Sequence, residues 1–151
     1  MTKNNEVLMR QPYVQWLGSV LVVLALVIGG TTPVVAGNTD PLFVNLTSEG
    51  THRAAMALAF GKAQLERGHP LTVFLNDKGV VIAAKTQTAK YAEQQKTLAE
   101  LMKAGAMVIA CPMCMKHYGV QETDLLPGIK IGQPDLTGGQ LFKDNTKTLT
   151  W

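Results

Sequence analysis

Met107-Val108-Ile109-Ala110-Cys111-Pro112-Met113-Cys114-Met115-Lys116-His117-Tyr118-Gly119-Val120 is the stretch on which the reading of the fold turns. Its first four residues are apolar and run straight into a cysteine, the pattern of a short buried strand. Met113 to Tyr118 can form a short helix closed by Gly119. Cys111 then falls where the strand ends, and Cys114 in the first turn of the helix. Pro112 is tolerated at a helix start, because its missing N–H would be unpaired there anyway.

The same strand-then-helix rhythm recurs upstream. Leu42-Phe43-Val44-Asn45-Leu46 is an apolar run bounded by Pro41 and Thr47-Ser48, hence a buried strand. Thr51 can cap a helix rich in alanine and leucine, with Gly68 as its C-terminal glycine. Gly61 inside it costs roughly 1 kcal/mol against alanine, and close packing on a sheet is the expected reason. Leu71-Thr72-Val73-Phe74-Leu75 is a second strand, ended by Asn76-Asp77-Lys78-Gly79. Val80 to Ala84 reads equally as a short strand or a lid-like segment. A second helix runs from Ala89 to Lys103, with Tyr91, Leu98, Leu101 and Met102 on one face and Gly105 as its stop. Downstream, Gly128 to Gly132 is a weak strand, Leu136 to Phe142 a turn with a helical piece, and Leu149 to Trp151 a final edge strand. Alternating strands and helices predict an α/β fold, a parallel sheet covered on both faces, with right-handed crossovers.

In such sheets, chemistry collects beyond the carboxyl ends of the strands. Three loops reach that edge: Asn45 to Thr51, Asn76 to Gly79, and Cys111 to Lys116. Asn45, Ser48 and Asn76 are candidate pocket residues by that position. A helix start favours negative charge, and a thiolate is such a charge. Four readings of the cysteine pair stand open. The first is a redox or sulfur-carrying dithiol, with Cys111 and Cys114 as its catalytic residues. The second is a soft-metal site: Cys111, Cys114 and His117 are spaced C-x2-C-x2-H, and Met113 and Met115 add thioethers that suit Cu(I). A closed zinc site would need a fourth ligand, and there is no second Cys-x-x-Cys. The third is a structural disulfide, which would close too short a loop to stabilise much. The fourth is a pair of inert buried thiols. A c-type haem is excluded because Met115 stands where His is required, and no cofactor is expected. His52 and His69 read as solvated or capping residues. A thioredoxin-like arrangement is disfavoured, since there the pair follows an early strand and here it follows the third.

With these residues in view, the chain resembles the DsrE/DsrF-like family over about Asp40 to Trp151. The specific element is strand, Cys, seven residues, Gly, then Val or Ile, here Cys111 through Gly119-Val120. The resemblance implies a three-layer α/β/α sandwich with a mainly parallel sheet of about five strands, and assembly into a homo-oligomer. It implies that Cys111 carries sulfur as a persulfide; Cys114 matches a second cysteine found only in some branches. A sulfur-transfer or thiol-redox protein follows as the leading expectation, with sulfurtransferase-like or thiol–disulfide chemistry through Cys111 if the domain is an enzyme. Its partners would be a sulfur donor or acceptor protein, or a small sulfane-sulfur compound. A Cu(I)-binding protein and a non-catalytic oligomeric binding module are the alternatives.

The first 36 residues do not read as part of a globular domain. Lys3 and Arg10 make a weakly basic start, diluted by Glu6. Leu17 to Ile28 is an uncharged, nearly all-apolar run, and Val34 and Ala36 are small residues placed as a signal peptidase requires. The run is short for a membrane span, which needs about 20 apolar residues. A cleaved secretory signal over 1–36 is the expectation, and an uncleaved anchor the alternative. Either puts the 37–151 domain in the periplasm or outside the cell, with membrane contact only through the signal. The known sulfur relays of the family work in the cytoplasm, so an export signal departs from that pattern. The 151 residues carry a net charge of +3, and removal of 1–36 leaves 12 basic and 10 acidic residues. The basic residues form no run and no aromatic-interleaved stripe, so nucleic acid is not an expected partner.

Overall fold

The structure is a computed structural model and describes residues 39–151; the secretory-signal expectation for 1–36 lies outside the described residues. Five strands, β1 (Leu42–Leu46), β2 (Leu71–Leu75), β3 (Met107–Ala110), β4 (Lys130–Ile131) and β5 (Lys147–Thr150), form one sheet in the order β4-β3-β2-β1-β5. Every pairing is parallel. Four helices pack around it: α1 (Thr51–Leu65), α2 (Thr88–Lys103), α3 (Pro112–Tyr118) and α4 (Pro134–Leu141). Among the described residues, no helix is long and apolar enough to cross a membrane.

Period-two alternation divides the strands between two faces. Leu42, Val44, Leu46, Leu71, Val73 and Leu75 form the main core with Ala54, Ala57 and Leu58 of α1 and Leu98 and Leu101 of α2. Leu46, Leu58, Leu75 and Leu98 are fully buried, each contributing about 1.5–3 kcal/mol relative to exposure. Gly61 lets α1 lie close to the sheet, as expected: a Cβ there would sit 3.1 Å from Leu71 Cδ2. Thr72 and Phe74 point to the other face, where Gln140 of α4 accepts a hydrogen bond from the Thr72 hydroxyl at 3.4 Å. That face has less cover. Phe43 and Phe74 pack at 6.0 Å between centroids, while Thr148 and Thr150 of the β5 edge remain exposed.

The apolar stretch at residues 80–84, open in sequence between strand and lid, is neither. Asp77–Ala83 is a 3-10 segment, with Gly79, Val80, Ile82 and Ala83 buried. Two features hold it down. Gly79 packs against β1 so closely that a Cβ would fall 2.0 Å from Leu46 O. Gln95 of α2 is 5 % exposed; its Nε2 donates to Ile82 O at 3.0 Å and to Ala84 O at 2.8 Å. A buried polar side chain is stable when its hydrogen bonds are made, and here they anchor the Ile82 and Ala84 carbonyls.

Candidate functional site

The carboxyl ends of β1, β2 and β3 meet at one edge, and the two cysteines lie there. Cys111 follows β3 directly, and its N–H continues the ladder by donating to Leu75 O at 2.9 Å. Its extended backbone makes it the N-cap of α3, with Pro112 at the helix start. The Cys114 N–H donates to Cys111 Sγ at 3.4 Å. A thiol sulfur thus fills the place usually held by a serine or aspartate oxygen, where the α3 amides favour negative charge. Gly119, at φ 71°, closes the helix in the left-handed conformation, which glycine adopts without a Cβ penalty.

The two sulfurs are 2.9 Å apart, with Cys114 as donor to Cys111. The Cys114 thiol also faces Asn76 Oδ1 at 3.1 Å. The Asn76 amide orientation is set by its neighbours. The Asp77 N–H donates to Asn76 Oδ1 at 2.7 Å, and Asn76 Nδ2 donates to Asn45 Oδ1 at 3.5 Å. A backbone N–H can only donate, so the atom facing Cys114 is the carbonyl oxygen and Cys114 presents its proton. Burial, and then the Cys111 sulfur, push the Cys114 thiol above its ordinary range. Cys111 is 8 % exposed, and Cys114 is only partly buried. Cys114 therefore holds its proton, and Cys111 accepts.

Around the pair lies a charged rim that sequence reading missed. The Tyr118 hydroxyl donates to Asp77 Oδ1, and this contact pushes the Tyr118 phenol up to about 12. Asp77 itself has φ 46°, left-handed for a non-glycine residue. Glu49 pairs with Lys78 at 3.3 Å and with Lys90 at 3.2 Å, which hold its carboxyl below the usual range, Lys90 foremost. The Tyr91 hydroxyl also donates to Glu49 at 3.3 Å. The four-residue spacing of Cys114 and Tyr118 was the available signal, since it puts both on one helix face.

Of the expected site residues, Cys111, Cys114 and Asn76 come together, and Asn45 stands one hydrogen bond behind. Ser48 does not reach them; its hydroxyl accepts from the Gly50 N–H at 3.1 Å. His117 packs edge-on against Tyr118 at 4.7 Å, and both His117 and Lys116 are exposed. Met113 is 79 % exposed, whereas Met115 is buried in the core. The C-x2-C-x2-H spacing is thus not gathered into a donor set: no group of three or more His, Cys, Asp or Glu side chains converges among the described residues. His69 Nδ1 lies 2.9 Å from Asp40 O, a local tie at the opposite edge.

The chain has relatives of similar sequence and of similar fold. Protein MJ0989 of Methanocaldococcus jannaschii is 37 % identical over 104 residues, which cover 66 % of this chain and 89 % of that protein. Protein MK0008 of Methanopyrus kandleri is 31 % identical over 83 residues, 54 % of this chain and 69 % of its own. Among solved structures, MTH1491 from Methanobacterium thermoautotrophicum superposes with a TM-score of 0.61 at 13 % identity, over 74 % of this chain and 98 % of that one. The ychN protein from E. coli gives 0.55 at 17 % identity, over 75 % and 99 %. These two share the fold. The model of the DsrE/DsrF-like family matches residues 42–141, which span β1 through α4 and include both cysteines. By its parallel sheet, its fold neighbours and this match, the chain belongs to the DsrE/DsrF-like family.

Proposed function

We propose that this protein carries sulfane sulfur on Cys111, with Cys114 as the resolving thiol. The observation that carries the reading is the sulfur pair itself: Cys111 Sγ accepts from the α3 backbone and lies 2.9 Å from Cys114 Sγ. The Cys111 thiolate attacks the outer sulfur of a persulfide donor, R–S–SH. The donor S–S bond breaks, Cys111–S–SH forms, and R–S⁻ leaves and is protonated by water. The acceptor step follows one of two routes. An outside thiolate takes the outer sulfur, or the Cys114 thiolate attacks Cys111 Sγ, forming the disulfide and releasing HS⁻. Because burial and Cys111 keep Cys114 protonated, the second route is slow near neutral pH. That favours holding sulfur over shedding it.

The Cu(I) reading rests on the same two sulfurs: among the described residues no third His, Cys, Asp or Glu joins them, Met113 is exposed and Met115 is buried in the core, so sulfur chemistry takes precedence. The apolar run from Leu17 to Ile28 and the small residues before Gly37 support a site of action outside the cytoplasm. The resemblance to the family supports a homo-oligomer.

Intact mass spectrometry of the anaerobically reduced protein, exposed to polysulfide or glutathione persulfide, tests the reading. The expected result is a gain of about 32 Da, absent in Cys111→Ser. A loss of about 2 Da alone would mean a disulfide switch, and no change would remove sulfur carriage.

A further inference from the structure

On the less covered face of the sheet, a cavity of about 300 Å3 lies between the strands and α4. Phe43 and Phe74 form its floor, Thr137 and Thr148 its sides, and Asn45 and Asn76 its upper end. None of its lining residues carries a charge. That upper end is the Asn45–Asn76 amide pair, and Asn76 Oδ1 lies 3.1 Å from Cys114 Sγ, so the cavity and the cysteine site share Asn76.

Cys111 does not itself line the cavity, but its place after β3 is beside Asn76, which does. The β2–β3 register pairs Phe74 with Ile109 and Leu75 with Ala110, so Asn76 and Cys111 come next in line. The start of α4 reaches this end as well. A Cβ on Gly132 would lie 3.1 Å from Ala110 O and 3.2 Å from Thr137 Oγ1.

We infer that this cavity seats the carbon group of a small, uncharged organic hydropersulfide whose outer sulfur passes to Cys111. The inference rests on the sulfur-carrier reading and names its donor class. The size sits at the low end for small-ligand pockets and equals about ten water volumes, room for a benzyl-sized group. Two aromatic rings reward an apolar group, and the Asn amides can bond the sulfur end. A charged donor would lose hydration in the cavity without meeting a countercharge. In the transfer the S–S bond of R–S–SH breaks, the Cys111 S–S bond forms, and R–S⁻ leaves and takes a proton from water to depart as R–SH, with no net oxidation.

The test compares freshly generated benzyl hydropersulfide with glutathione hydropersulfide at matched concentration, using the mass gain on Cys111 as the rate. Wild type should load from the benzyl donor about tenfold faster. Thr148→Trp, which fills the cavity from its exposed β5 side, should abolish that preference, while Thr97→Ala, on α2 and outside the cavity lining, should leave both loading rates unchanged. A titration with benzyl mercaptan followed by NMR should shift the amides of Asn45, Thr137 and Thr148. Equal rates with both donors, or a preference that survives Thr148→Trp, would overturn the inference and leave sulfur carriage standing. Shifts that track protein concentration instead of ligand would assign the cavity to a second copy of the chain and overturn it too. If neither donor loads Cys111 yet benzyl mercaptan still shifts Thr137, the cavity is supported as an uncharged-thiol site and the sulfur-carrier reading fails.

Discussion

Replacing Gln95 by leucine should loosen the 3-10 segment that carries Asn76 and Asp77 to the cysteines. Leucine matches the volume and keeps the site dry, so the change isolates the hydrogen bonds. Three are lost: to Ile82 O, to Ala84 O, and from the Thr88 hydroxyl at 2.7 Å. Each such bond is worth about 1 kcal/mol net. Two partners are partly compensated. Ala84 O still accepts the Gln87 N–H at 2.9 Å, and the Thr88 hydroxyl still has Lys85 O at 2.7 Å. The Ile82 carbonyl, on a fully buried residue, bears most of the loss. The expected cost is therefore about 2 kcal/mol, read as a shift in urea midpoint with unchanged slope, or about 8 °C in Tm for a domain of this size. Alkylation of Cys114 by iodoacetamide should speed up in parallel, since the segment shielding it opens more often. Thr97→Ala, at an exposed site on the same helix, serves as the control and should change little. A Gln95→Leu protein within about 0.5 kcal/mol of wild type would refute the claim that Gln95 holds this segment in place.

Gly79→Ala should be far more damaging than Gly61→Ala. The first forces a Cβ to 2.0 Å from a backbone oxygen of β1, whereas the second meets only the movable end of Leu71 at 3.1 Å. Denaturant unfolding should separate them by more than about 2 kcal/mol, and equal stabilities would contradict the packing described. Tyr118, held up at about 12 by Asp77, should ionise near that pH in an absorbance titration, and Asp77→Asn should bring it back toward about 10. The sign follows from linkage. A raised folded-state value gives stability that is whole below the unfolded phenol value and lost as pH climbs through the folded one. A Tyr118 titration unmoved by Asp77→Asn would show that the contact does not act.

Much of this architecture could be read from residue order alone, and the exceptions have physical causes. β1, β2 and β3 were visible because each is an apolar run bounded by turn residues, and α1 and α2 because their lengths and closing glycines are unambiguous. Residues 80–84 were not, because a buried 3-10 segment needs the same apolar side chains as a strand. What decides between them is Gln95, in another helix, and the missing side chain of Gly79. The sulfur pair was legible from its spacing at a strand–helix junction. Its surroundings were not, since Tyr118 and Asp77 are 41 positions apart, as are Lys90 and Glu49. His117 shows the opposite error. It has ligand-like spacing, yet its ring packs on Tyr118 instead of turning to the sulfurs.

The place of β5 beside β1 also dictates an order of assembly. β1, α1, β2, α2 and β3 are neighbours in sequence as well as in space, so their contacts close over short loops and can form early. β5 must return across the sheet to β1, and the Thr47 hydroxyl bonds Trp151 O across a separation of 104 residues at 2.6 Å. Closing so long a loop is entropically late. Until it closes, the open side of β1 presents unpaired backbone next to Phe43, a template for pairing with another chain. The last strand to dock is thus the one that turns a sticky half-sheet into a finished domain.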